Sequence, residues 1–142
     1  HRDGVAVCAF SPEAVVGCDL EAVEPRTSRF VRDFFTERES RMAEDSAPEE
    51  HDLRVALTWS AKESALKVLR VGLRRDTRDV EVDLEGVDAA EGWHPFEAKL
   101  RPERRRLHGW WCRRKDLILT IASDASCADP PPPIELSRSH PL

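Results

Sequence analysis

From about Asp52 to Arg70, Leu53, Ala56, Leu57, Ser60, Ser64, Leu66 and Leu69 recur at helical spacing without keeping to one stripe. A helix that is apolar or small on most of its sides has to be buried, so the rest of the chain must wrap it. Gly72 marks its expected stop. Lys62, Glu63 and Lys67 break the apolar pattern. An ionised acid buried without a partner is costly, and for Glu63 a shared cation removes that cost.

The wrapping elements read mainly as strands. Val5 to Phe10 and Val15 to Leu20 are short β-branched and apolar runs on either side of Ser11-Pro12-Glu13, which reads as a hairpin. Val80, Val82 and Leu84 alternate with Glu81 and Asp83 as a half-exposed strand; Phe96 to Leu100 is a weaker one. Leu107 to Cys112 and Leu117 to Ala122 form a final hairpin through Arg113 to Asp116. Between the two groups, Ser28 can cap a helix containing Phe30, Val31, Phe34 and Phe35, and Thr36 with Glu39 has capping-box spacing for a second short helix. Ala43 to Asp52, acidic and containing Pro48, reads as a loop or frayed helix end. The fold expected is α+β, an antiparallel sheet of about five strands against one long helix and short ones.

Asp19 and Glu21 stand at i and i+2 on the second strand and therefore share a face, with Cys18 and Leu20 turned the other way into the core. Glu63 can reach the same point from the long helix. Three hard oxygen ligands suit Mg²⁺. Lys67 lies one turn beyond Glu63 on the same helix face.

Together, Gly17-Cys18-Asp19-Leu20-Glu21 and Trp59-Ser60-Ala61-Lys62-Glu63-Ser64-Ala65-Leu66-Lys67 resemble the 4′-phosphopantetheinyl transferases, whose signature is a Gly-x-Asp-x-Glu strand and an aromatic-Ser-x-Lys-Glu-x-x-x-Lys helix. Glu21 and the Trp-Ser pair are closer to the two-lobed, Sfp-like branch than to the small trimeric synthases. The resemblance covers roughly residues 1 to 122 as the metal-binding half of a pseudo-two-fold protein. It implies transfer of the phosphopantetheine of coenzyme A to a serine of an acyl or peptidyl carrier protein, with release of 3′,5′-ADP and with Mg²⁺ on Asp19, Glu21 and Glu63. Glu63 would accept the serine proton, directly or through a water, while Lys67 would stabilise phosphate oxygens or protonate the departing group. His1 would reach the coenzyme A phosphates. Lys62 would contact another phosphate or face solvent, and Trp59 and Ser60 read as packing residues. Arg26, Arg29, Arg32, Arg38 and Arg41, beside Phe30 and Phe34, form either a seat for an acidic carrier helix or an ordinary solvated face.

Composition fits a protein of this kind. The 142 residues are 40% hydrophobic and 35% charged with a net charge of −5, which argues against a nucleic-acid coat, and no apolar run approaches a membrane span. Cys8, Cys18, Cys112 and Cys127 lack structural-zinc spacing and read as buried free thiols of a cytoplasmic protein. The chain opens on His1 without Met, almost at once before a strand, and so reads as a piece of something longer, such as the end of a polyketide or fatty-acid synthase. From Ser123 a tail with Pro130 to Pro133 reads as disordered. A lobe supplying the other wall of the coenzyme A site would lie outside this sequence. The alternative to an enzyme is a carrier-binding fragment that needs that lobe for turnover; a phosphohydrolase using water as nucleophile is a third reading.

Overall fold

The computed structural model describes residues 4–87, 91–125, 129 and 131. His1 and Arg2, Cys127 and the tail beyond 131 lie outside the described residues. Eight main elements succeed one another: β1 (Val16–Ala22), α1 (Ser28–Phe34), α2 (Glu37–Glu44), α3 (Pro48–Leu69), β2 (Val80–Leu84), β3 (Trp93–Leu100), β4 (Arg105–Arg114) and β5 (Leu117–Ser123). The strands form one antiparallel sheet in the order β1-β5-β4-β3-β2. It is thus a four-strand meander with β1 added beside its last strand, packed on α3, and the expected α+β architecture holds.

The long helix begins earlier than its apolar pattern suggests. Pro48 sits in its first turn with Glu49 and Glu50, where a missing N–H costs nothing and acids face the positive end of the helix dipole. The acidic stretch expected as a loop is therefore mostly helical, because α2 runs to Glu44 and only 45–47 connects it to α3. Arg70 ends α3 in the left-handed conformation at φ 57°, donating its N–H to the Leu66 and Lys67 carbonyls. The stop comes two residues before Gly72. In α2 the capping box is complete: Thr36 Oγ1 accepts from Glu39 N at 3.2 Å and Glu39 Oε2 accepts from Thr36 N at 2.8 Å. Thr27, rather than Ser28, caps α1.

Among the described residues the expected first hairpin is absent. Beyond a bridge at Val5, residues 6–10 form no strand, and Phe10 is 88% exposed. Val5 and Val7 instead pack on the sheet face opposite α3, over Leu20, Cys112 and Leu119. β1 takes β5 as its partner from Val16↔Ser123 to Ala22↔Leu117, a register longer than the 5–10 run could offer. The final hairpin forms as expected, although its turn is only Lys115 and Asp116. In β2, Glu81 is buried as well as Val80 and Val82, since Arg38 and Arg101 pair with its carboxylate.

The main core lies on the acids' own side of the sheet. Asp19 pairs with Thr120 and Thr120 with Trp111, and these residues share the face that meets α3, where Leu57, Ala61 and Ala65 pack against Trp111, Ile118 and Ala122. Cys18 and Leu20 point away from the acids, as alternation requires, Leu20 into a separate small cluster and Cys18 toward the Val7 carbonyl. What lets β1 approach α3 so closely is Gly17. A Cβ there would stand 2.2 Å from Ser64 O and 2.8 Å from Lys67 Cβ. Gly17→Ala should therefore push strand from helix and cost on the order of 3 kcal/mol in urea unfolding. An unchanged midpoint would show that the two elements are not in backbone contact.

Candidate active site

β1 and α3 bring the strand acids and the helix residues to one place because Gly17 and the small residues of α3 remove the side chains that would separate them. Asp19 is tethered at both oxygens: Lys67 Nζ donates to Oδ1 at 2.8 Å, and Ser60 Oγ donates to Oδ2 at 2.8 Å. Lys67 Nζ also reaches the Cys18 carbonyl at 2.9 Å, yet its side chain remains 46% exposed. Glu21 accepts from Arg26 at 3.0 Å through Oε2; the same guanidinium pairs with Glu24 and lies over the Phe30 ring.

Glu63 is the partly buried third acid. Burial raises its pKa above the ordinary carboxylate value, Asp19 and Glu21 raise it further, and Lys67 opposes them. Asp19 and Glu21 thus both act on Glu63 from across the strand–helix contact. The donor set is all carboxylate, with neither sulfur nor imidazole, and so fits a hard divalent cation. The side chains are not closed into a ligand cage: among the described residues no group of three His, Cys, Asp or Glu side chains has a metal-holding arrangement. Asp19 and Glu21 are drawn instead onto Lys67 and Arg26.

Lys62 corrects an expectation. Its side chain is 0% exposed, so it neither faces solvent nor has a surface to offer a phosphate. The ammonium bonds Glu39 Oε2 at 2.8 Å, the Thr77 carbonyl at 2.8 Å and the Val80 carbonyl. Adjacent residues on a helix differ by about a quarter turn, and that separates Glu63, toward β1, from Lys62, toward α2 and β2. Burial pulls the Lys62 pKa down while Glu39 opposes the shift.

Ser60 is the site residue that sequence reasoning passed over. Its signal was its spacing, three residues before Glu63 and seven before Lys67, on the same helix face. Trp59 does pack, its ring centroid 5.0 Å from Phe30 and 5.1 Å from Phe34. The five arginines after β1 do not form one patch. Arg29 pairs with Asp33, Arg38 with Asp83 and Arg41 with Glu37 along the helix surfaces. Arg26 and Arg32 instead line a groove with Val31, Phe35, Arg78 and Arg101. His1 lies outside the described residues, so the structure does not place it. Cys8, Cys18 and Cys112 are free thiols, with Cys112 buried but Cys8 exposed because 5–10 is not a strand. Among the described residues no helix is long and apolar enough to cross a membrane.

No curated protein matches the chain. A family model does, over residues 15–122, a span that runs from the residue before β1 almost to the end of β5 and holds Asp19, Glu21, Ser60, Glu63 and Lys67, and the chain accordingly belongs to the 4′-phosphopantetheinyl transferase superfamily.

Proposed function

We propose that this chain carries the metal-binding half of a Mg²⁺-dependent enzyme that moves the 4′-phosphopantetheine group of coenzyme A onto a serine of an acyl or peptidyl carrier protein. The observation that carries this reading is the meeting of Asp19 and Glu21 on one strand face with Glu63 on α3, where each raises the proton affinity of Glu63. Asp19, Glu21 and Glu63 would hold the cation, which when bound neutralises pyrophosphate oxygens and the leaving group.

The side chains supply the rest of the chemistry. The serine Oγ forms a bond to the β-phosphorus, the bond from that phosphorus to the bridging oxygen breaks, and 3′,5′-ADP leaves with that oxygen. Glu63 accepts the serine proton; a carboxylate whose pKa is raised by burial is a better base than an exposed one. Lys67, exposed and held only at its tip, can exchange the Asp19 carboxylate for a phosphate oxygen without moving its helix. The acidic helix of a carrier protein would seat at the groove of Arg26, Arg32, Arg78 and Arg101, with Val31 and Phe35 as its apolar floor. Glu21 and the Trp59-Ser60 pair support an Sfp-like assignment, with residues 1 to 122 as the lobe, His1 as a phosphate contact and a second lobe completing the coenzyme A site.

Incubating apo carrier protein with coenzyme A, Mg²⁺ and the parent protein should add one phosphopantetheine mass to the carrier. Coenzyme A cleavage without carrier would favour the phosphohydrolase instead, and carrier binding without any mass gain the non-catalytic module. Asp19→Ala should raise the Mg²⁺ concentration for half-maximal rate by more than about tenfold, since losing even an outer-shell partner costs that much. An unchanged titration would remove Asp19 from the ligand set.

A further inference from the structure

Behind Asp19 lies a group of hydroxyls that the proposed reaction leaves unused. Ser60, Ser64 and Thr120 are each 0% exposed. Thr120 is the register partner of Asp19 across β1 and β5, so it stands beside the acid and faces the same helix. Its Oγ1 lies 2.9 Å from Ser60 Oγ, 2.9 Å from the Ser60 carbonyl and 3.1 Å from Ser64 Oγ. Ser64 itself donates to the Ala61 carbonyl.

The protons can be assigned. Each hydroxyl has one, and an ionised carboxylate only accepts, so the Ser60 proton is committed to Asp19 Oδ2. Toward Thr120, Ser60 Oγ is then left only as an acceptor, and the one Thr120 proton is divided among Ser60 Oγ, the Ser60 carbonyl and Ser64 Oγ, all on the Ser60–Ser64 turn of α3. A serine inside a helix more commonly bonds a carbonyl of its own preceding turn. Ser60 is aimed out of its helix at a different element. Small apolar residues fill the neighbouring positions Ala56, Ala61 and Ala65 without any such bond, so packing alone does not call for hydroxyls here.

We infer that Ser60, held by Thr120, is a positioning residue that fixes Asp19 by Oδ2, with Oδ1 on Lys67, and so sets the orientation in which this carboxylate would serve as a ligand to the cation. The inference rests on the metal reading above. Outer-shell hydrogen bonds of this kind orient a carboxylate ligand and set its affinity for the ion.

The test measures the ion directly. Binding of Mn²⁺ to the full chain in the presence of coenzyme A is followed by electron paramagnetic resonance of the free ion, for the wild type and for Ser60→Ala, Thr120→Val, Thr120→Ser and Asp19→Ala, with circular dichroism melts confirming that each folds. Ser60→Ala should weaken Mn²⁺ binding by roughly 10- to 100-fold and Thr120→Val by about tenfold, while Thr120→Ser, which keeps the hydroxyl, should stay within about threefold of wild type. A purely structural role predicts that melting shifts and affinity does not. If Ser60→Ala fails to fold, Thr120→Val against Thr120→Ser decides the matter. Folded variants that bind Mn²⁺ as the wild type does, where Asp19→Ala does not, overturn the inference and leave the metal site standing. A wild type that binds no better than Asp19→Ala overturns both. Mn²⁺ binding to this chain, with no carrier modification by the parent protein, defeats the transferase reading while the affinity series still judges Ser60.

Discussion

Glu63→Gln is expected to lower phosphopantetheine transfer by about 10³-fold, the scale of losing a positioned general base, with little loss of fold. Glutamine keeps the shape and removes both the proton acceptor and one of three negative donors. Because burial and the neighbouring acids raise the Glu63 pKa, the folded state binds its proton more tightly than the unfolded chain. The ionised side chain is therefore a stability cost, absent below the unfolded pKa and growing as pH rises through the folded one. In metal-free buffer at neutral pH the variant should melt at or above the wild-type temperature, with the difference closing near pH 4. Activity surviving within tenfold would remove Glu63 as the base, and a lower melting temperature would mean that it has a stabilising partner.

Lys62→Met should have the largest effect on stability, about 3–5 kcal/mol in urea unfolding, the range for breaking a buried ion pair from one side. It strands the Glu39 carboxylate in the interior and leaves the Thr77 and Val80 carbonyls without their donor. Glu39 is itself a junction: Oε1 accepts from Val82 N at 2.7 Å and Oε2 closes the cap of α2. The pair therefore ties α2 and β2 to α3 one residue away from Glu63. Adding Glu39→Gln to Lys62→Met should restore part of the loss, since no unpaired charge remains and the amide oxygen can still accept from one of the two backbone N–H groups, Val82 N or Thr36 N. A Lys62 that merely touched phosphate would behave differently, leaving unfolding unchanged and raising the KM for coenzyme A. A cost under about 1 kcal/mol would rule out the buried pair.

The failures of sequence reading share a cause with these two adjacent residues. Lys62 and Glu63 are both charged interruptions of an apolar helix, and their roles diverge only because α2 and β2 cover one side while β1 covers the other. Nothing local distinguishes Val5–Phe10 from a strand; β1 simply finds a longer partner in β5, brought alongside by the meander. Pro48 reads equally as a breaker or as a first-turn residue, and Glu49 and Glu50 directly after it decide for the helix. Ser60 looks like packing until Thr120, distant in sequence and adjacent in space, orients it toward Asp19.

The local periodicities were legible from the chain alone: the strand that sets Asp19 beside Glu21, the helix that sets Glu63 below Lys67, the capping box of α2 and the closing hairpin. These depend on dihedral preferences and side-chain spacing within a few residues, which a sequence carries explicitly. Tertiary structure alone decided which face of the sheet holds the core, that Gly17 lets β1 lie against α3, that Lys62 is buried on Glu39, and that Asp19 is held by Ser60. Those outcomes turn on desolvation and on contacts between residues far apart in the chain, so the same charged residue becomes a ligand, an internal brace or a surface group according to what packs against it.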